Sequence, residues 1–197
     1  MKNGFTLAEL MVTLGLIGVV TAITLPSLIN NATDAKVGPS LAKAVASFEH
    51  ANKILMSDQD VDALTDTDSL TALEEANIGS YINALSDYMY VEKNDSNSMV
   101  SEEGFKYTIE TNSVPPVASS TPYLQEITDC IIDINGDEGP GVDGTDVFYF
   151  KLMNDGTLQP FGANNVWNSK CPVGSTPSDP KYCAGHIFEN NFKVLYE

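Results

Sequence analysis

The run from Phe5 to Leu25, FTLAELMVTLGLIGVVTAITL, holds 21 residues and one formal charge, Glu9. At about 1.5 Å of rise per residue, a helix of that length covers roughly 30 Å, the thickness of a bilayer's hydrocarbon core. Lipid offers the backbone no hydrogen-bonding partner, so such a run is restricted to helix. Glu9 is the anomaly. A carboxylate inside an apolar helix is costly and is retained where a partner meets it. Only Met1, Lys2, Asn3 and Gly4 stand ahead of the run. A secretory signal has a basic segment, a shorter apolar core, and then a small-residue cleavage site. Here the candidate processing point, Gly4–Phe5, precedes the apolar residues, so a cut there removes four residues and leaves the helix on the protein. Lys2 is the sole charge on the short side of the span, which predicts a cytoplasmic N-terminus and an exported C-terminal part.

Length and charge bound the remainder. A chain of 197 residues suits one membrane helix and one modest domain. Residues 27–197 contain 26 of the 27 acidic residues and nine of the ten lysines, and arginine is absent, so that part carries the net charge of −17. Nucleic-acid affinity comes largely from Lys and Arg displacing counterions, so this surface repels phosphate backbones and no nucleic-acid partner is expected. Three cysteines fit an oxidising compartment. Cys171 and Cys183 enclose an eleven-residue loop, PVGSTPSDPKY, and are the favoured pair. Cys130 is then a free thiol, and the two other single-bridge pairings stay open on sequence grounds.

Past Pro26, the residues Leu41, Val45, Phe48, Asn52 and Leu55 recur at three-and-four spacing, flanked by Ala44, Ala51 and Ile54. This spacing predicts an amphipathic helix with one face on a sheet. Gly38-Pro39 predicts a kink or break within it, since proline removes a hydrogen bond and clashes with the preceding turn. Residues 57–69, SDQDVDALTDTDS, read as a solvated acidic loop that ends the helix. Leu70 to Met89 reads as a short helical stretch broken at Gly79, and Asn94 to Glu103 as a polar loop. FKYTIE (105–110), CIIDIN (130–135) and TDVFYFKLM (145–153) read as strands, the last two rich in β-branched and aromatic residues. Pro115-Pro116 marks a connection. Asn154-Asp155-Gly156 predicts a tight hairpin into TLQPF. The tail HIFENNFKVLY reads as a helical turn followed by a final strand.

The set Gly4, Phe5, Thr6, Leu7 and Glu9, followed by the apolar run, resembles the class III leader of type IV pilins and type II secretion pseudopilins. Pro26 matches a position where many pilin helices carry proline, and INGDEGPGVDGTDVFYF followed by NDG resembles a hairpin recurring in prepilin-type proteins. The resemblance implies that a prepilin peptidase cuts after Gly4 and methylates the new amino group on Phe5. Glu9 becomes the fifth residue of the mature chain, where the family pairs this carboxylate with the terminal amine of a neighbouring subunit. It also implies an α+β, pilin-like fold: a long N-terminal helix, membrane-spanning in its first half, packed on a small antiparallel sheet, with a disulfide-tied C-terminal region. The expected division is a leader at 1–4, a transmembrane and filament-core helix at 5–25, its amphipathic continuation at 26–57, and an exported globular domain at 58–197. The implied partners are prepilin peptidase, other pilin or pseudopilin subunits and the inner-membrane assembly platform. The implied location is the inner membrane with a periplasmic C-terminal domain, then a periplasmic or extracellular filament.

Few residues suggest other chemistry. Asp133, Asn135 and Asp137 supply the first three spacings of an EF-type calcium loop, with Asp143 and Asp146 nearby. Some major pseudopilins bind calcium in a C-terminal loop, so these three are candidate ligands, and no other cofactor is expected. Against this, the glycine falls one place late at Gly139, and Gly144 stands where the twelfth-position Glu belongs; Asn135-Gly136 is equally a turn former. Gly139, Gly141 and Gly144 spell G-x-G-x-x-G, but Pro140 lies inside it and a strand follows, so it is no dinucleotide fingerprint. His50 and His186 belong to no nucleophile or zinc pattern and read as ordinary surface or half-buried residues. Cys130 reads as a small core residue, and Trp167 and Phe161 as packing under the C-terminal loop. No catalytic residues are assigned and no enzymatic activity is expected. Two functions follow from the resemblance: a structural subunit of a type IV pilus or pseudopilus, or a minor subunit that binds a ligand, cargo or surface at the filament tip.

Overall fold

The computed structural model describes residues 6–70, 75–110 and 125–195, with the side chains at 25–35, 75–77 and 93 excepted. Pro115-Pro116, the expected leader Met1–Gly4, Phe5 and the Pro26 side chain lie outside that description. Helix α1 covers Leu7–Asp58. Residues 1–36 and 37–197 form two compact units.

In the first unit, the 18 residues Leu7–Thr24 have a mean hydropathy of 2.0, and the helix is long and apolar enough to cross a membrane. Every side chain from Thr6 to Thr24 is exposed. The hydroxyls within it are satisfied by the helix itself. Thr13 donates to the Glu9 and Leu10 carbonyls, Thr21 to that of Ile17 at 2.7 Å and Thr24 to that of Val20 at 2.9 Å. Such back-bonding is what lets threonine sit where no water reaches.

The second unit is α+β. Six strands, β1 (Val91–Asn94), β2 (Ser98–Ser101), β3 (Lys106–Ile109), β4 (Glu126–Asp133), β5 (Val147–Met153) and β6 (Leu158–Pro160), form one antiparallel sheet in sequential order. Alternation places Tyr107, Ile109, Cys130, Ile132, Phe148, Phe150 and Leu152 on the buried face. Registers Tyr107↔Ile132, Ile109↔Cys130, Cys130↔Phe150 and Ile132↔Phe148 align those side chains across three strands. Against them lies the predicted stripe of α1: Leu41, Val45, Phe48, Asn52 and Leu55 are all buried, with Ala44 and Ala51. Phe48 stacks on Tyr107 at 5.3 Å between centroids, and the Tyr107 hydroxyl donates to the Ala44 carbonyl at 3.1 Å. Helix α2 (Glu75–Ser86) adds Ile78, Tyr81, Ile82 and Leu85 at helical spacing, and runs unbroken through Gly79.

Four further expectations need correction. Gly38-Pro39 does not break α1, whose helical residues are continuous through it. Gly38 serves a contact instead: a Cβ there would lie 1.7 Å from the Phe192 carbonyl oxygen, so glycine is what lets the C-terminal segment cross the helix. The stretch 94–103 is not a loop but contributes β2 and the end of β1, with Ser98, Met99 and Ser101 buried. The acidic stretch is not fully solvated. Leu64 and Thr67 are wholly buried, and the Leu64 N–H and Thr65 N–H bond the carbonyl and side-chain oxygens of Asn154 at the β5–β6 hairpin. Finally, the tail forms α3 (Cys183–Glu189) and no final strand among the described residues. Replacing Gly38 with Ala is expected to cost about 1–3 kcal/mol of stability, the usual range for overpacking, read as a lower denaturant midpoint at unchanged m-value.

Candidate functional site

The start of α1 carries a feature that the apolar run conceals. Thr6 precedes the helix and Glu9 is its third residue. The Glu9 carboxylate accepts from the Thr6 backbone N–H and hydroxyl, both at 2.9 Å, while the Glu9 N–H donates to the Thr6 hydroxyl at 3.3 Å. This is a capping box, two otherwise orphaned donors satisfied reciprocally. The T-x-x-E spacing was present in the sequence and could have been read there. It places the carboxylate at the positive end of the helix, beside the residue that follows Phe5. The expected processing residues Gly4 and Phe5 lie outside the described residues.

The glycine-rich acidic loop after β4 is built as a turn. Asp133 Oδ1 accepts the backbone N–H groups of Asn135 and Gly136, each at 3.1 Å. Asp137 pairs with Lys106 at 2.9 Å. The Asn135 amide donates to Asp146, whose other oxygen accepts the Val142 N–H. Asp143 accepts the Tyr149 hydroxyl at 2.9 Å. Among the described residues, no group of three His, Cys, Asp or Glu side chains is arranged to hold a metal ion. Asp133 and the Asn135 amide thus bond within the loop while Asp137 reaches Lys106 on β3, and burial raises the Asp133 carboxyl above the usual 3.8.

Cys171 and Cys183 are joined, with 5.3 Å between their Cα atoms, and Cys130 is a free, buried thiol that burial pushes up in pKa. The bridge sits over a small core. His50 is exposed as expected, but His186 is wholly buried, contrary to the sequence reading. Its Nδ1 lies 2.8 Å from the Cys171 carbonyl oxygen, which can only accept, so Nδ1 carries the proton. Its ring meets the Trp167 ring edge-on at 4.5 Å. The Trp167 indole donates to Glu189 at 2.7 Å, and the other oxygen of Glu189 accepts the Asn165 N–H at 3.1 Å. No periodicity could announce this, because the partners come from three short segments joined by turns.

Residues 1–25 match the family model of the prokaryotic N-terminal methylation motif. The chain thus carries, over its first 25 residues, the N-terminal signal of type IV pilins and pseudopilins. No curated protein and no solved structure matches the chain.

Burial holds His186 below its usual value of 6.5. The unfolded chain then binds a proton more readily than the native one, so stability is complete above about pH 6.5 and falls as pH drops below it, by at most about 1.4 kcal/mol per pH unit. Asp129 and Asp133, raised by burial, act in the opposite sense at lower pH. Denaturant titrations at pH 7.5 and 5.5 should show the loss, and His186→Gln should abolish that pH difference.

Proposed function

We propose that this chain is a pilin-like filament subunit, cut after Gly4 and methylated on Phe5, whose N-terminal helix passes from the bilayer into the core of a helical polymer. The observation that carries this reading is Glu9 inside an apolar helix that bears the methylation motif. Once Gly4 is removed, the new terminal amine belongs to the residue next to Thr6. In the single chain, the carboxylate is occupied by neutral Thr6 donors. An amine from another subunit offers a charged donor, and charge-assisted hydrogen bonds are roughly twice as strong as neutral ones. Exchanging one for the other favours assembly and sets the axial register of each subunit on the next. The contact joins two different surfaces, so its repetition gives an open helix rather than a closed ring.

The partners are prepilin peptidase, further pilin or pseudopilin copies and the inner-membrane assembly platform. Orientation follows Lys2, with the acidic domain on the periplasmic side. The role is structural, with no catalytic group assigned.

Glu9→Gln and Glu9→Val separate charge from capping, since Gln at this position still closes a capping box. Both variants are expected to insert into the membrane and to be processed. Both should be lost from sheared or purified filaments. Normal incorporation of the Gln variant would remove the charge from the argument. Mass spectrometry of the native protein should find a chain beginning at Phe5 with one added methyl group; an intact Met1 would overturn the reading.

A further inference from the structure

Of the chain's sixteen asparagines, two stand two places ahead of a serine or threonine with no proline between, Asn31 and Asn94. That spacing is the acceptor pattern for N-glycosylation, a modification of surface segments in exported proteins. The two differ in sequence and in setting. Asn31 lies inside helix α1 and has Ile29 two places before it. Asn94 is the last residue of β1 and has Glu92 two places before it, so 92–96 reads Glu-Lys-Asn-Asp-Ser. An acidic residue at that place is the further requirement of bacterial oligosaccharyltransferases, and the chain's N-terminal motif is a prokaryotic one.

The fold presents this segment openly. β1 is an outer strand of the sheet, paired with β2 alone among the described strands. Asn94 stands opposite Met99, residues 95–97 connect the two strands, and a register shift between Val91 and Lys93 places Glu92 in a bulge. Glu92, Asn94, Asp95 and Ser96 are all exposed. The Asn94 amide donates to the side-chain oxygen of Asn83 on α2 at 2.9 Å; both residues are exposed, so water replaces that bond at little net cost. The connection itself is held in place. The Asp95 N–H donates to the Ser98 carbonyl at 2.8 Å, and a Cβ at Gly79 of α2 would lie 3.3 Å from the Ser96 carbonyl oxygen. A transferase must take its acceptor as an extended segment with the amide and the following hydroxyl both in reach. An exposed strand end supplies that, and the interior of an α-helix does not.

We propose that Asn94 is an N-glycan acceptor. The donor is an oligosaccharide joined through its first sugar to a polyprenyl pyrophosphate. A bond forms between Asn94 Nδ2 and C1 of that sugar as the bond from C1 to the pyrophosphate oxygen breaks. The amide gives up one proton, and the polyprenyl pyrophosphate leaves with the electron pair. The Ser96 hydroxyl and the Glu92 carboxylate are recognition groups that meet the transferase, not the reacting atoms. This rests on the orientation proposed above, which puts the acidic domain on the periplasmic side. A bulky, hydrophilic chain at the end of β1 also shields the free edge of the sheet, which otherwise offers unpaired backbone groups to another strand.

Trypsin separates residues 94–106 from the N-terminal peptide ending at Lys36, which contains Asn31. The full chain is purified from its native membranes and both peptides are read by mass spectrometry in one digest. The Asn94 peptide should carry an added mass of whole sugar residues, and Asn31 none. Asn94→Gln and Ser96→Ala should abolish the addition and speed the intact chain on a denaturing gel. Ser96→Thr should retain it, and Glu92→Gln should leave most chains unmodified. Thermal melting of these exposed-site variants should not change. A bare Asn94 overturns the proposal whatever the N-terminus shows, and so does a sugar that persists in Asn94→Gln, which places it on a hydroxyl. A bare Asn94 on a chain beginning at methylated Phe5 leaves the filament reading standing. A sugar on Asn94 of a chain beginning at Met1 overturns that reading alone.

Discussion

A single buried amide sets how the folded unit fits together. Asn52 is wholly buried on the inward stripe of α1. Its oxygen accepts the Tyr81 hydroxyl of α2 at 2.6 Å, and its nitrogen donates to the Gly156 carbonyl at the β5–β6 turn at 3.1 Å. Three elements distant in sequence thus meet on one side chain. Apolar contacts alone would tolerate small rotations of α1 against the sheet, because hydrophobic burial has no direction. A buried hydrogen bond does not tolerate them, since leaving either partner unmade costs about 1–3 kcal/mol. Gly156, at φ 80°, completes the arrangement: a Cβ there would sit 3.0 Å from that of Asn52. Glu49 reinforces it one turn earlier by accepting the Leu158 N–H at 2.8 Å.

The first unit solves a different solvation problem by the same rule. Its described side chains from Thr6 to Thr24 are exposed, so in an apolar medium each polar group among them must be satisfied within the helix or by something outside the chain. The threonines do the former through carbonyls one turn back. Glu9 does so provisionally, because a carboxylate bonded to one N–H and one hydroxyl still bears its full charge. The capping box makes the helix N-terminus locally complete while leaving that charge unneutralised. A group that only ends a helix need not be ionic, and under the proposed assembly that surplus charge is what an intermolecular cation would meet.

Much of this was legible in the sequence where a period was long enough to register. The α1 stripe, the alternation of Tyr107 and Ile109, and the aromatic strand Val147–Met153 all lie where spacing put them. Strands β1 and β2 were not legible, because their buried positions include Ser98 and Ser101 and they flank a turn rich in Asp, Asn and Ser. Leu64 was hidden by its aspartate neighbours, although backbone bonds to Asn154 dock it on the hairpin. At Gly38-Pro39 the expected break is absent, and the reason for the glycine lies 154 residues away, at Phe192. The candidate site divides in the same way: Glu9 was evident, its bond to Thr6 was available in the T-x-x-E spacing, and the packing of His186 under the disulfide had no local signature.

Charge placement links these units to what a polymer of this chain would require. Residues 37–150 hold 21 acidic residues and four lysines, so the entire net charge of −17 falls there, while residues 1–36 and 151–197 are each balanced. Bringing copies together costs Coulomb energy wherever acidic surfaces come within about one Debye length, roughly 8 Å at physiological salt. That cost is carried by the sheet's first strands and the acidic loops, and it is absent from the apolar helix and the disulfide-tied end. An acidic body keeps such a protein soluble and resists indiscriminate association. Close approach is then cheapest through the two balanced stretches, one of which holds Glu9, the carboxylate that the proposed assembly would pair with a new amine.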